Sequence, residues 1–447
     1  MAYLRACSGE RMKSDLDLFT LPLTQTSIEN SAYLYYKPIS SLSDDGDSPL
    51  EFLIPSSTDH YIDLAHTMLH LTVQILPASD TPSENLKVGP VNNFIHSMFD
   101  QIDIFFNQKL VSSTNNAYPY RAYIETLLNY AAPAMRSHLT SALWSIDTAD
   151  AMDAAPNLDR KADGANQGLI NRLFFTAGGK AVDMIGHLHC DVFNQPKFLI
   201  NGVDVRVRLV RSKDAFCLMD WSDNRKFSVH IKEATLIVRR AKISPGILLA
   251  HANALAKTTA KYPLTRAEVK SFTLHSGILG DTLDNVILGQ LPKRIILGFV
   301  KNKAFNGNRK LNPFNFQHFN INFISLYVDG VQVPSRPLQP RFTGDHKLYV
   351  DAYHTLFSGT GIHYLNEGLD IDRYGYPNGF CLFAFDLTPD LSAHFTSHWN
   401  LVRSGSLRVE VRFAEALTET LNCIVYAEFD NVLEIDSNRQ IITDFNS

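Results

Sequence analysis

The stretch GVDVRVRLVR, residues 202–211, alternates strictly: Val203, Val205, Val207 and Leu209 fall on one side of an extended chain, Asp204, Arg206 and Arg208 on the other. Successive side chains of a strand point to opposite faces, so the pattern predicts a strand with one face in a core. SLRVEVRFAEAL, residues 406–417, repeats the device, with Leu407, Val409, Val411 and Phe413 opposite Arg408, Glu410 and Arg412. Further strands are predicted from TMLHLTVQIL (67–76), QIDIFFNQKLV (101–111), FSVHIKEATLIVRR (227–240), RIILGFV (294–300), NINFISLYVDGVQV (320–333), GFCLFAFDL (379–387) and LNCIVYAEF (421–429). Gly, Pro, Asn and Asp bound them, as turns require.

Helical spacing is confined to a few places. In YPYRAYIETLLNYAA (118–132), Tyr123, Leu127 and Tyr130 share a face behind Pro119; in SPGILLAHANALAKTTA (244–260), Leu248, Ala252 and Leu255 do so behind Pro245. Both predict short helices packed on sheets. SSLSDDGDSP (40–49) and DTADAMDAAPNLDRKADGANQG (147–168) read as long surface loops, the second as an exposed protrusion. The fold class is all-β with a few short helices.

With 447 residues, 45% of them hydrophobic, the chain is long enough for two domains or three, each with a sizeable core. A net charge of −5 gives no overall basic field for nucleic acid or an anionic membrane. Five scattered cysteines (Cys7, Cys190, Cys217, Cys381, Cys423) with no C-x-x-C predict reduced, mostly buried thiols. No signal peptide, spanning segment or N-x-[ST] acceptor is evident, and synthesis in the host cytosol is the expectation.

The two halves echo one another. IDIFFNQKLV (102–111) resembles ISLYVDGVQV (324–333), RAYIETLL (121–128) resembles DAYHTLF (351–357), and DVRVRLV (204–210) resembles LRVEVRF (407–413), in the same order. The reading is a tandem duplication. Residues 1–30 are expected to be an N-terminal arm, 31–260 a first unit, and 261–447 a second unit ending in a C-terminal tail. Eight or so strand candidates in roughly 200 residues suit a jelly roll; an immunoglobulin-like sandwich needs about half that length.

Candidate chemistry is sparse. GHLHCD (186–191) gathers two histidines, a cysteine and an aspartate, and on a strand from Met184 to Phe193 the side chains of His187, His189 and Asp191 would share one face, with Cys190 on the other. Two histidines at i and i+2 can ligate zinc, but a third ligand has to converge from elsewhere and none announces itself. The favoured reading is structural. HFTSH (394–398) lacks the glutamate of a zinc protease, AGGKA (177–181) lacks the spacing of a phosphate loop, and LFSGTGIH (356–363) reads as a turn after a short helix. Asp15 with Asp17, and Asp370 with Asp372, are loop carboxylates without a cleft. No catalytic, cofactor-binding or metal-ligating residue is assigned. Two basic clusters, Arg206, Arg208, Arg211 and Lys213, then Arg239, Arg240 and Lys242, read as strand faces bridging carboxylates rather than phosphate contacts.

Several long strings carry a family resemblance: VGPVNNFIHSMFDQIDIFFN (88–107), YPYRAYIETLLNY (118–130), LVRSKDAFCLM (209–219), AHANALAKTTAKYP (250–263), NPFNFQHFNINFISLYVDG (312–330), LFSGTG, FAFDLTPDL (383–391) and YAEFDNVLEIDSNRQIITDFN (426–446). Together they resemble the major capsid proteins of Polinton, or Maverick, elements and the adintoviruses, from about residue 50 onward. The resemblance implies a double jelly roll, three copies of which form a pseudo-hexagonal capsomer of an icosahedral shell around double-stranded DNA. It implies no enzyme activity and no cofactor. The implied partners are other copies of the chain and a penton or minor capsid protein, with DNA touched at most locally, and the implied location is the virion capsid. NPFNFQHF (312–319) and the two termini are candidate contributors to contacts between copies; the termini read equally as edge strands or frayed ends within one subunit. A penton or minor shell protein, a β-sandwich ligand binder and a cupin-type metal enzyme are the alternatives.

Overall fold

The strand predicted at 202–211 runs from Val205 to Arg211, and the residues chosen as its inner face, Val205, Val207 and Leu209, are fully buried. Each such side chain contributes about 1.5–3 kcal/mol by leaving water. The computed structural model describes residues 11–42, 48–77, 87–112, 117–156, 164–222, 226–362 and 368–443. Cys7, parts of both predicted long loops, His363 and the last four residues of the tail lie outside them.

Two sets of eight strands dominate. The first comprises β1 (Ile28–Tyr36), β2 (Leu50–Ile54), β3 (His60–Pro77), β4 (Phe99–Phe106), β5 (Lys109–Leu110), β6 (Val182–His187), β7 (Val205–Arg211) and β8 (Phe227–Ile243). They form two antiparallel sheets, ordered β1-β8-β3-β6 and β2-β7-β4-β5. The second comprises β9 (Ala260–Leu274), β10 (Gly280–Gln290), β11 (Arg294–Lys301), β12 (Ile321–Val328), β13 (Val331–Leu338), β14 (Leu382–Asp386), β15 (Ser404–Phe413) and β16 (Leu421–Ile435). These pair as β9-β16-β11-β14 and β10-β15-β12-β13, the same order shifted by eight. Each set is a jelly roll, with first strand beside last and second beside seventh. The fold is a double jelly roll.

The three sequence echoes fall on equivalent elements. IDIFFNQKLV is the β4–β5 hairpin and ISLYVDGVQV the β12–β13 hairpin; DVRVRLV is β7 and LRVEVRF is β15. RAYIETLL lies in helix α1 (Tyr118–Asn129), between the fifth and sixth strands of the first roll, and DAYHTLF in helix α4 (Val350–Ser358), between the same two strands of the second. Between them in the chain lie α2 (Gln167–Thr176) and α3 (Pro245–Leu255), the latter just before β9. Both hairpins turn through two residues of positive φ, Asn107-Gln108 and Asp329-Gly330, the primed turn that matches strand twist.

Sequence pattern misses β1, β2, β9 and β10. β1 has no buried residue, and in β10 the apolar residues cluster instead of alternating. The predicted loop 147–168 is also corrected. Its start is pinned inside the protein and its end opens α2, where the Asn166 side chain caps the helix by accepting from the Leu169 N–H.

Candidate functional site: the seam between the two rolls

The strand carrying GHLHCD stops at His187, so His189, Cys190 and Asp191 do not share the face that continued alternation would give them. The chain turns there because its side chains are drawn into a buried polar network that joins the rolls. On α1, Arg121 donates from Nε to Glu125 at 2.8 Å, one turn along the helix, and pairs through Nη2 with Asp191 at 2.7 Å. Asp191 accepts the backbone N–H of Ala267 on β9 at 3.1 Å, crossing to the second roll. Glu125 accepts from His189 Nδ1 at 2.7 Å and from the Tyr426 hydroxyl of β16 at 3.2 Å. Glu428, two residues on, lies 3.0 Å from the same hydroxyl and 3.4 Å from Arg294 of β11.

Burial alone would raise the Glu125 carboxyl, but Arg121 and His189 overcome it and hold the group down at about 2. The Tyr118 oxygen accepts the His189 backbone N–H at 3.2 Å, and its hydroxyl meets His96 Nδ1 at 2.9 Å. Burial first, and the neighbouring His189 and His187 second, push His96 well below its ordinary 6.5. His96 and His189 meet edge to face at 4.8 Å. His187 stands apart, donating from Nε2 to the Asn194 side chain at 3.0 Å. The two histidines are thus committed to different partners, and among the described residues no three His, Cys, Asp or Glu side chains converge as metal ligands.

An aromatic plug lies beside this network. Tyr123 stacks on Phe314 at 4.3 Å with the rings nearly parallel, and Tyr120 packs on Phe305 at 5.6 Å and Phe314 at 5.7 Å. NPFNFQHF, expected to contribute to contacts between copies, therefore buries Phe314 and Phe316 within one chain, because α1 presents two tyrosines to them. Farther along, Asp147 pairs with Arg172 at 2.6 Å, both side chains wholly buried, and accepts from Asn312 Nδ2 at 2.8 Å. Asp153 accepts from the Asn312 N–H at 2.7 Å and from Asn315 at 3.0 Å. The start of the presumed protrusion is thus a strap across the seam.

The C-terminal segment is a second strap. Residues Ile441–Thr443 pair back on β16, Arg439 donates to the Asn201 carbonyl at 2.7 Å, and Lys109 donates to the Ile441 carbonyl at 3.0 Å. Within one subunit, residues 432–435 finish β16 and Ile441–Thr443 form a short strand paired beside it. The basic clusters also meet carboxylates: Arg206 pairs with Glu51 at 2.7 Å, Arg239 with Asp63 at 2.6 Å, and Lys242 with Glu29 at 3.1 Å. HFTSH lies in a loop, with His398 on Asp390 at 2.9 Å.

What remains without a partner is surface. Leu16, Leu18, Phe19, Leu21 and Leu23 before β1, and Phe395, Trp399, Leu401 and Val402 before β15, are large apolar side chains exposed to solvent. Patches of this kind mark contact with other molecules. Sequence reasoning missed the network because Glu125, Tyr426 and Glu428 are far from GHLHCD in the chain; the one local signal was the Arg121–Glu125 spacing of four.

The scaffold is thus two like rolls joined by a buried polar and aromatic seam, with apolar segments left on the surface. Solved structures share this fold over almost the whole chain. A chain of the Sputnik virophage structure matches at TM-score 0.62 and 13% identity, covering 98% of this chain and 94% of its own. The PBCV-1 virus capsid chain matches at 0.57 and 9% identity, covering 96% of this chain and 100% of its own. The mavirus major capsid protein matches at 0.53 and 13% identity, covering 99% and 97%. By sequence the chain is 25% identical over 439 residues to the Caenorhabditis elegans "Uncharacterized protein F54H12.2", spanning 95% of this chain and 99% of that one. No family model matches.

Proposed function

We propose that the chain is a major coat protein that assembles into homotrimeric, pseudo-hexagonal capsomers of an icosahedral shell around double-stranded DNA, in the lineage of the Polinton and adintovirus coat proteins that its sequence resembles. The observation that carries this reading is the repetition of one eight-stranded order twice in a single chain. Three such chains present six similar sandwiches, which fit a lattice of six neighbours with only threefold symmetry. A penton or minor shell protein, of which one roll is the usual complement, has less support. We assign residues 31–260 and 261–447 to the two units, no residue to catalysis, cofactor or metal, and the virion shell as the place of action. Among the described residues no helix is long and apolar enough to cross a membrane.

Size-exclusion chromatography with light scattering, followed by negative-stain microscopy, tests this. Stable trimers with a hexagonal outline, or closed particles, are expected. A persistent monomer at high concentration counts against the reading.

A further inference from the structure

Beside α3 the fold leaves an apolar groove of about 480 Å³, walled by Ile28, Phe198, Ile247, Leu248 and Leu255. Several of its polar groups already have partners, and the exposed Lys197 stands at its rim. Tyr61 meets His251 Nδ1 at 2.9 Å, the Tyr262 hydroxyl accepts the Ile200 N–H at 3.1 Å, and Arg439 is committed to Asn201. Helix α3 has no charged residue and none that is buried, although a helix apolar on most sides is normally covered. The groove thus matches an uncharged, apolar occupant.

The chain carries such a segment. LFTLPLTQTS, residues 18–27, contains no charge, and Leu16, Leu18, Phe19, Leu21 and Leu23 are 65% to 101% exposed, so none of them sits in the groove of its own chain. The segment leaves the fold at the groove's rim, where Ser27 lines it and accepts the Ser244 N–H at 3.0 Å. The exit is fixed: the Gln25 side chain donates to the Ile28 carbonyl at 3.1 Å and accepts its N–H at 2.8 Å. Residues 11–27 include no glycine, and Pro22 holds Leu21 extended, which opposes a reversal into the chain's own groove within a few residues. Extended at ~3.3 Å per residue, residues 16–27 reach roughly 40 Å, enough to meet another copy.

We infer that the arm of one copy, residues 16–27, seats its leucines in the groove beside α3 of a second copy. This rests on the assembly reading above and names the surface through which copies are tied. Assembly then covers at once two of the apolar surfaces that the single chain leaves open.

The test uses full-length chains in a Cys7→Ser background, one tagged and carrying Leu23→Cys, the other with a different tag and carrying Leu248→Cys. The two are coexpressed and treated with a short bismaleimide. The remaining native cysteines are buried and stay silent. A cross-linked product bearing both tags is expected, and Ala252→Trp, which fills the groove, reduces it at least tenfold while leaving circular dichroism unchanged. In a third chain that carries both cysteines, cross-linking confined to single copies, with no two-tag product from the pair, overturns the inference. Trimers or particles without cross-link overturn it while the assembly reading stands; monomers without cross-link overturn both.

Discussion

Arg121 faces two carboxylates in a largely buried site, and that fixes what its loss costs. Arg121→Ala leaves Glu125 and Asp191 buried with no cation between them, and breaking a buried pair from one side typically costs about 3–5 kcal/mol. Chemical denaturation is expected to show that drop, while Arg206→Ala, at a half-exposed pair, shifts the midpoint by no more than about 1 kcal/mol. The Tyr123 hydroxyl, by contrast, is buried without a hydrogen-bond partner among the described residues. Tyr123→Phe is therefore expected to be neutral or to stabilise by about 1 kcal/mol, and Phe314→Ala, which removes the ring stacked on it, to cost about 3–5 kcal/mol. His96 sets a pH dependence. Its folded form resists protonation, so below about pH 6.5 the unfolded chain binds more protons and stability falls as the pH falls. Each unit of pH costs up to ~1.4 kcal/mol for this group, and His96→Gln is expected to flatten the slope of unfolding midpoint against pH between 6.5 and 5. The Glu125 contribution persists through that window and is lost only as the pH falls from 4.5 toward 2. At this scale the partners of GHLHCD were not legible, because alternation is a local signal and the network is assembled from segments far apart in the chain.

At the scale of elements, the strict alternators β7 and β15 were readable, since one face is core and the other wet. β1 was not, because an edge strand without a buried face has no alternating apolar pattern to read. The two equivalent hairpins offer a matched comparison. Gly330 occupies the second turn position at φ +81°, and its counterpart Gln108 sits at +68°. A side chain in the left-handed region costs about 1–2 kcal/mol. Gly330→Val is expected to lose about that much, whereas Gln108→Gly is expected to gain up to about 1 kcal/mol after the added chain entropy of glycine. Thermal melts of both variants check the pair.

At the scale of the whole molecule, duplication was visible from three short echoes because equivalent elements keep similar core patterns. The seam was not visible, since nothing in the pattern tells an aromatic that faces a second roll from one that faces a second copy; NPFNFQHF was misjudged for that reason. Residues 28–260 produced alone would expose Tyr120 and Tyr123, and the fragment is expected to bind a hydrophobic dye that the full chain excludes. The small net charge and the paired arginines also predict weak binding to duplex DNA, lost by 200 mM salt; tight binding beyond that would require a basic surface that the described residues do not form.

The position of β16 gives the chain an order in time. It is the last of the sixteen strands in chain order, yet it lies between β9 and β11 and supplies Tyr426 and Glu428 to the seam. The first roll has all its strands once residue 243 has emerged and can close while synthesis continues. The second must hold β9 open across some 150 residues of growing chain until β16 arrives, a slow, non-local pairing. The second roll thus becomes whole only once β16 has been made, and a chain cut short before residue 421 lacks the strand that bridges β9 and β11 and the groups it gives to the seam.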